Sequence, residues 1–302
     1  MLVAVCLGAA NHAGRGAASV EAEPADQTTV IAVVGAAGEE EFGQSFSVWA
    51  RRWEEASRQA GARLILIGQE TNAAASDRDR LQQTLQAEAK SGQGDLWVVL
   101  LGHGTFDGRE AKFNLRGPDV SANDLAAWLD PVRRPLAVIN ASASSAPFLA
   151  KLSRPGRVVV TATRSGSELN FARFGQFFSE AIADLQADLD KDGQVSLLEA
   201  YLTASARVAE FYETEGRLAT EHALLDDNGD GLGTPATFFR GVRAVKRPKD
   251  DAQPDGVRAH QFHLIRSEAE RQLPAAIRAR RDALELSIAK LREAKNRMKE
   301  DE

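Results

Sequence analysis

The run Leu96-Trp97-Val98-Val99-Leu100-Leu101 restricts the fold more than any other stretch of this chain. Six consecutive apolar residues are too few to cross a bilayer and lack the alternation of a half-solvated strand. They read as a strand buried on both faces, as in a parallel sheet. Four further runs share this character: Val30 to Gly35, Arg63 to Gly68, Leu136 to Asn140 and Arg157 to Thr163. Helical patterns separate them. Phe42, Phe46, Trp49 and Trp53 recur at helical spacing before Gly61, and their aromatics belong to a core. Ser76, with Asp79 three residues on, starts a helix that carries Leu81 and Leu85 and ends at Ser91-Gly92. Ser121 caps a helix through Trp128 and Leu129, which Pro131 ends. A helix containing Phe174, Phe177 and Phe178 follows the fifth run. Strands alternating with helices imply a parallel sheet covered on both faces, a three-layer α/β domain.

Gly35-Ala36-Ala37-Gly38 breaks the first strand as a tight turn. It lacks the Lys-Ser/Thr of a phosphate loop and the glycine spacing of a dinucleotide site, which disfavours a kinase, an NTPase or an oxidoreductase. The 302 residues carry a net charge of −6, which argues against nucleic acid or an anionic membrane as the main partner and suits a protein that holds divalent cations. No segment after the opening is long and apolar enough to span a membrane. Cys6 is the single cysteine, so neither a disulfide nor a cysteine zinc site forms within one chain. The opening Met1 to Ala10 resembles the end of a secretory apolar region without its positive start. Residues 1–28 therefore read as a signal remnant and linker, implying a periplasmic or secreted protein, with a cytoplasmic tail as the alternative.

The most specific motif is Asp188-Leu189-Asp190-Lys191-Asp192-Gly193-Gln194-Val195-Ser196-Leu197-Leu198-Glu199. Calcium takes six to eight hard oxygens, and a twelve-residue loop supplies them from its first, third and fifth side chains, its seventh carbonyl, its ninth position and a bidentate Glu at the twelfth. Here those are Asp188, Asp190, Asp192, the Gln194 carbonyl, Ser196 and Glu199, with Gly193 at the sharp turn and Val195 as the apolar anchor. Asp226-Asp227-Asn228-Gly229-Asp230-Gly231 is a partial second copy, with Asp226, Asn228 and Asp230 as ligands but Thr237 where the Glu belongs. Three readings stand for it: a weaker calcium site, a site completed from elsewhere, or a plain Asp/Asn/Gly turn. The helix from Leu198 to Arg217 and the stretch from Phe177 to Leu185 would flank the first loop as the two helices of an EF-hand.

Gly102-His103-Gly104 closes the third strand and Asn140-Ala141-Ser142 the fourth. Neighbouring parallel strands lie about 5 Å apart, which sets His103 and Ser142 around one crevice at the ligand-binding end of the sheet. A hydroxyl needs a base to become a nucleophile, and His103 is one of five histidines. The N–H groups of Gly104 and Ser142 are the candidate oxyanion donors. Thr105 to Gly117 reads as a small hairpin over this site. Arg164, after the fifth strand, is placed either to bind a substrate carboxylate or to form a surface ion pair.

The order of strand, His-Gly, helix, strand and small-residue turn resembles the legumain and caspase type of cysteine peptidase. In that family His precedes Gly, and the nucleophilic Cys ends the next strand. Val138-Ile139-Asn140-Ala141-Ser142-Ala143-Ser144-Ser145 resembles the legumain-type segment and puts Ser142 at the cysteine position. The resemblance covers about Val30 to Ala183 and implies a caspase-hemoglobinase fold with a peptide or protein as ligand. Serine is far less ionised than a thiol near neutral pH, and Asp107 is the nearest guess for an acid that orients His103. Two readings remain: a peptidase-like domain that is inactive or a weak hydrolase, and a working serine peptidase using His103 and Ser142.

The organisation expected is an α/β domain at 29–183, a helical calcium module at 184–240, a linker at 241–259 and a long helix at 260–302. In that helix Ile277, Leu284, Leu291 and Met298 recur every seven residues with Ile288 between them, while Arg281 and Lys295 interrupt the seam. This suits either self-association or a solvated helix laced with ion pairs.

Overall fold

The computed structural model describes residues 27–70, 74–90, 94–246 and 254–298. The apolar runs form the strands expected. β1 (Thr29–Val34) leads into α1 (Glu40–Ala60), which ends where Gly61 takes a left-handed φ of 63°. β2 (Arg63–Ile67) and α2 (Asp77–Glu88) follow, the Ser76 hydroxyl accepting the Asp79 N–H. β3 (Leu96–Leu101) is buried along its whole length. β4 (Gly104–Phe106), β5 (Ala111–Phe113) and β6 (Val120–Ser121) make a small antiparallel sheet beyond it. α3 (Ala122–Leu129) starts with a reciprocal cap between Ser121 and Asp124. β7 (Leu136–Asn140), α4 (Ala146–Leu152), β8 (Arg157–Thr161) and α5 (Phe174–Ala181) complete the alternating half.

Beyond them come α6 (Leu197–Thr214), β9 (Leu224–Asp226), β10 (Thr234–Pro235), the hairpin β11 (Phe239–Arg240) with β12 (Arg243–Ala244), and three helices, α7 (Val257–Gln261), α8 (Glu268–Gln272) and α9 (Ala275–Met298). The main sheet has seven strands in the order β10-β9-β8-β7-β3-β1-β2. All pairs from β8 to β2 are parallel, and β9 and β10 add antiparallel at one edge.

Side chains alternate between two cores because successive strand residues face opposite ways. Val30, Trp97, Val99 and Ile139 pack with α1, α5 and α6. Ile31, Val98, Leu100 and Val138 pack with α2, α3 and α4. On the first face the rings of Trp53 and Trp97 lie 6.3 Å apart. The architecture is thus a three-layer α/β domain around a mostly parallel sheet. Among the described residues no helix is long and apolar enough to cross a membrane.

Five expectations change. β2 is an edge strand rather than a fully buried one: among the described residues it pairs only with β1, leaving Arg63 exposed and Leu64 to Leu66 half-buried. The segment 184–240 does not stand beside the sheet as a helical module, because β9 and β10 extend the sheet itself. α5 stops at Ala181, and a single 3-10 turn at Leu185–Ala187 leads into the first acidic loop in place of a regular helix. The region from His260 onward is three helices instead of one, since Phe262 and Leu264 turn inward to the core and Pro274 separates α8 from α9. The expected linker also changes character, for Asp255 near its end is 3% exposed. The expectations for Met1 to Ala10, Cys6, Ser91-Gly92 and residues 247–253 of the linker lie outside the described residues.

Candidate functional site

β3 and β7 are neighbours with Leu100 opposite Asn140, so the His103 and Ser142 segments leave the sheet side by side. The approach is close enough that a Cβ on residue 104 would lie 2.2 Å from the Ala143 carbonyl oxygen and 2.7 Å from Ser142 Oγ. Only glycine fits there.

The polar groups at these strand ends bond among themselves. Asn140 Oδ1 accepts the Ser142 hydroxyl at 2.7 Å and the Ser142 N–H at 3.1 Å. The same hydroxyl lies 3.2 Å from the Ala143 carbonyl, and Ser142 is fully buried. Both the expected nucleophile and one expected oxyanion donor are therefore committed to protein partners. His103 is partly exposed. Its Nε2 sits 3.1 Å from the Ala37 carbonyl, which can only accept, so Nε2 carries the proton and Nδ1 is the basic nitrogen. Its ring stands edge-on to Phe42 and Phe46, 4.8 and 5.1 Å away. No hydrogen bond joins His103 to Ser142 among the described residues. Asp107 is not its orienting acid: its carboxylate accepts the Arg109 and Glu110 N–H groups and shapes the β4–β5 turn. Ser144, at a left-handed φ of 53°, is 1% exposed with its hydroxyl unpartnered; the sequence carries no signal for that strain.

Arg164 belongs to a different cluster. Its Nε lies 3.4 Å from Glu168, whose carboxylate also holds His222 Nδ1 at 2.6 Å and accepts the Arg164 backbone N–H at 3.0 Å. Arg164 and His222 are 58 positions apart in the chain, and no local pattern announces their pairing through Glu168.

The two acidic loops share one hydrogen-bond scheme. In the first, Asp188 accepts the N–H groups of Lys191, Asp192 and Gly193 at 2.6, 3.2 and 3.0 Å. Asp190 accepts from Asp192, and Asp192 accepts from Gln194. The fourth and sixth residues, Lys191 and Gly193, take left-handed φ values of 65° and 89°. In the second loop Asp226 accepts from Gly229 and Gly231 at 3.1 and 2.7 Å, Asn228 from Asp230, and Asp230 from Leu232. Gly229 and Gly231 supply the matching φ values of 84° and 76°.

The closing carboxylates differ. Glu199 accepts the N–H groups of the first loop's second and third residues, Leu189 and Asp190, at 2.7 and 3.2 Å. In the second loop the equivalent N–H groups, of Asp227 and Asn228, go to Asp255 at 2.8 and 3.2 Å. Thr237 instead lies exposed in a short 3-10 turn. Burial, and then the Asp227 charge, push the Asp255 carboxyl up to about 8. Burial also raises Asp226 and Asp227.

The donor set suits a hard cation. Asp188, Asp190 and Asp192 each offer an oxygen within 4.8 Å of the others, and Asp190, Glu199 and His260 converge in the same way. His260 Nε2 lies 3.0 Å from Asp190. Ser196, the expected ninth-position ligand, caps α6 and donates its hydroxyl to Glu199. The Gln194 side chain ties Asp192 to the backbone of Ser267.

No family model matches this sequence, and no curated protein matches it. Among solved structures it is similar to the Drosophila initiator caspase Dronc, at 13% identity over 70% of this chain and 83% of that one, with a TM-score of 0.47. Caspase-1 from Spodoptera frugiperda is similar at 9% identity over 68% of this chain and 87% of that one, with a TM-score of 0.45. Raptor from Chaetomium thermophilum is similar at 11% identity over 52% of this chain and 17% of that one, with a TM-score of 0.35.

Proposed function

We propose that this protein is a calcium-binding, peptidase-like recognition domain in which calcium orders a surface for a peptide or protein ligand and Ser142 does not act as a nucleophile. The geometry of the first loop carries the calcium reading. Its backbone is already folded by Asp188, and three carboxylates converge within 4.8 Å. A hard divalent cation supplies the positive charge that such a carboxylate cluster lacks. Asp188, Asp190, Asp192, Glu199 and the Gln194 carbonyl would hold it, with Ser196 acting through water as the ninth residue of such loops does. Asp226, Asn228 and Asp230 would hold a second ion, with Asp255 in place of the missing terminal Glu.

The non-catalytic reading is supported by the burial of Ser142 and by its two bonds to Asn140. A nucleophile has to meet both its base and its substrate. Ser142 Oγ meets Asn140 instead, and a hydroxyl lacks the thiolate character on which a cysteine-type site depends.

The test combines calcorimetric titration with calcium and hydrolysis of a fluorogenic peptide library, each on the native chain and on Ser142→Ala. The expected result is calcium binding in both proteins and no hydrolysis in either. Cleavage by the native chain that disappears in Ser142→Ala would replace this reading with a serine peptidase using His103 as base. Absence of calcium binding would remove the ion from it.

A further inference from the structure

A second concave feature of the molecule is lined by neither His103 nor Ser142. An open cavity of about 670 Å³ sits between α6, β9 and the hairpin of β11 and β12. Phe174, Leu202, Val208, Leu224 and Phe239 give it an apolar lining, and its volume falls in the usual range of about 300–1,000 Å³ for small-molecule pockets. Its polar groups divide into two kinds. Ser205 and Glu221 are committed within the protein: the Ser205 hydroxyl donates to the Tyr201 carbonyl at 2.7 Å, and Glu221 accepts the N–H groups of Arg173 and Phe174 at 2.8 and 2.9 Å. Arg164 keeps donors available. Glu168 meets its Nε at 3.4 Å and accepts its backbone N–H, while the side chain stays 61% exposed. Glu168 also holds His222 Nδ1 at 2.6 Å, which fixes that ring against the cavity.

We propose that this cavity binds an aliphatic carboxylate, with the chain on the apolar lining and the carboxylate on Arg164. A guanidinium presents paired N–H groups that match a carboxylate in two-pronged fashion. Glu168 is a positioning residue that sets the orientation of the Arg164 guanidinium. The committed state of Ser205 and Glu221 favours a hydrocarbon chain over a peptide, since peptide amides buried without partners are costly. None of the residues assigned to calcium lines the cavity, although Leu189 of the first acidic loop does.

The experiment is displacement of Nile red from the full chain by dodecanoate and by dodecanol. In the native protein dodecanoate displaces the dye at roughly tenfold lower concentration than dodecanol, as a charge-assisted pair of about 1.4 kcal/mol requires. Arg164→Gln, at a side chain 61% exposed and so tolerant of change, brings the two ligands to within about twofold while leaving dodecanol unaltered. Arg164→Lys restores part of the preference. Ala206→Trp, an exposed α6 position at the cavity, weakens dye and both ligands together with the melting temperature preserved. Equal displacement by acid and alcohol in the native chain overturns the proposal. So does an acid preference that survives Arg164→Gln, or tighter binding of an apolar peptide with a free C-terminus than of dodecanoate.

Discussion

The loops at 188–199 and 226–237 follow the same backbone course, yet one is closed from within and the other from outside. In both, the first carboxylate accepts the N–H groups of the fourth and sixth residues, and left-handed φ values recur at those same positions. Glu199 closes the first loop from its own twelfth position, where it is also part of the reciprocal cap of α6. Asp255 closes the second from 29 residues beyond Asp226, with Thr234 donating to its other oxygen at 2.5 Å. The difference teaches that a loop conformation can be specified locally while its last acceptor comes from wherever packing delivers a carboxylate. Glu221 offers a parallel case. It accepts the first N–H groups of α5, a helix with no side-chain cap of its own, from 47 residues beyond Phe174.

The comparison breaks most directly at Asp255. Asp255→Ala leaves the buried donors of Asp227, Asn228 and Thr234 without their acceptor, and unfolding in urea should show a loss of about 3 kcal/mol or more. Thr237→Ala, at an exposed position, should stay within about 0.5 kcal/mol. Equal costs at the two sites would mean that Asp255 does not close the loop.

Calcium sharpens the same contrast. At one hundred times its dissociation constant, a ligand that binds only the folded state adds about 2.7 kcal/mol. Calcium should stabilise the native chain against urea by this order, and Glu199→Gln should remove the first loop's share while keeping an oxygen for Leu189 and Asp190. A calcium response unchanged by Glu199→Gln would separate the loop's conformation from ion binding.

Glu221 provides a test in pH. Burial raises its carboxyl above the ordinary value of 4.5. The folded state therefore holds this proton more tightly than the unfolded chain does. Its stabilising contribution is complete below the unfolded pKa and is lost as pH rises through the folded one. Between pH 4.5 and neutrality, Glu221→Gln should accordingly lose less stability than the native chain. A steeper decline in the variant would contradict a raised carboxyl.

The smallest effect is expected on α9. Ile277, Leu284, Ile288 and Leu291 are 52, 55, 46 and 69% exposed. Leu291→Glu should change unfolding in dilute solution by no more than about 0.5 kcal/mol. A loss that grows with protein concentration would show that this heptad face buries against a second copy.

The buried strands and their helices were legible because each signals its state within a few residues. Continuous apolar runs marked β1, β3, β7 and β8, while aromatic spacing marked α1 and the Ser121-to-Asp124 pattern marked α3. The edge status of β2 was not, since Leu64 to Leu66 resemble the residues of an inner strand, and it is the lack of a second neighbour among the described residues that exposes them. β9 to β12 have two or three residues each, too few for a period to show. At the candidate sites, the acidic spacing identified the first loop, and His103 and Ser142 were correctly expected at adjacent strand ends. Adjacency still did not bring the two into a hydrogen bond among the described residues, where the Ser142 hydroxyl donates to Asn140 Oδ1 at 2.7 Å.

By itself the sequence determined the parallel core, its helical cover and the acidic turns, all governed by interactions among residues a few positions apart. Tertiary structure alone decided that Asp255 closes the second loop, that Glu221 caps α5 and that Glu168 joins Arg164 to His222. These contacts bridge long intervals of chain, and their partners are selected by which elements pack together, a choice made by the shape and burial of whole surfaces.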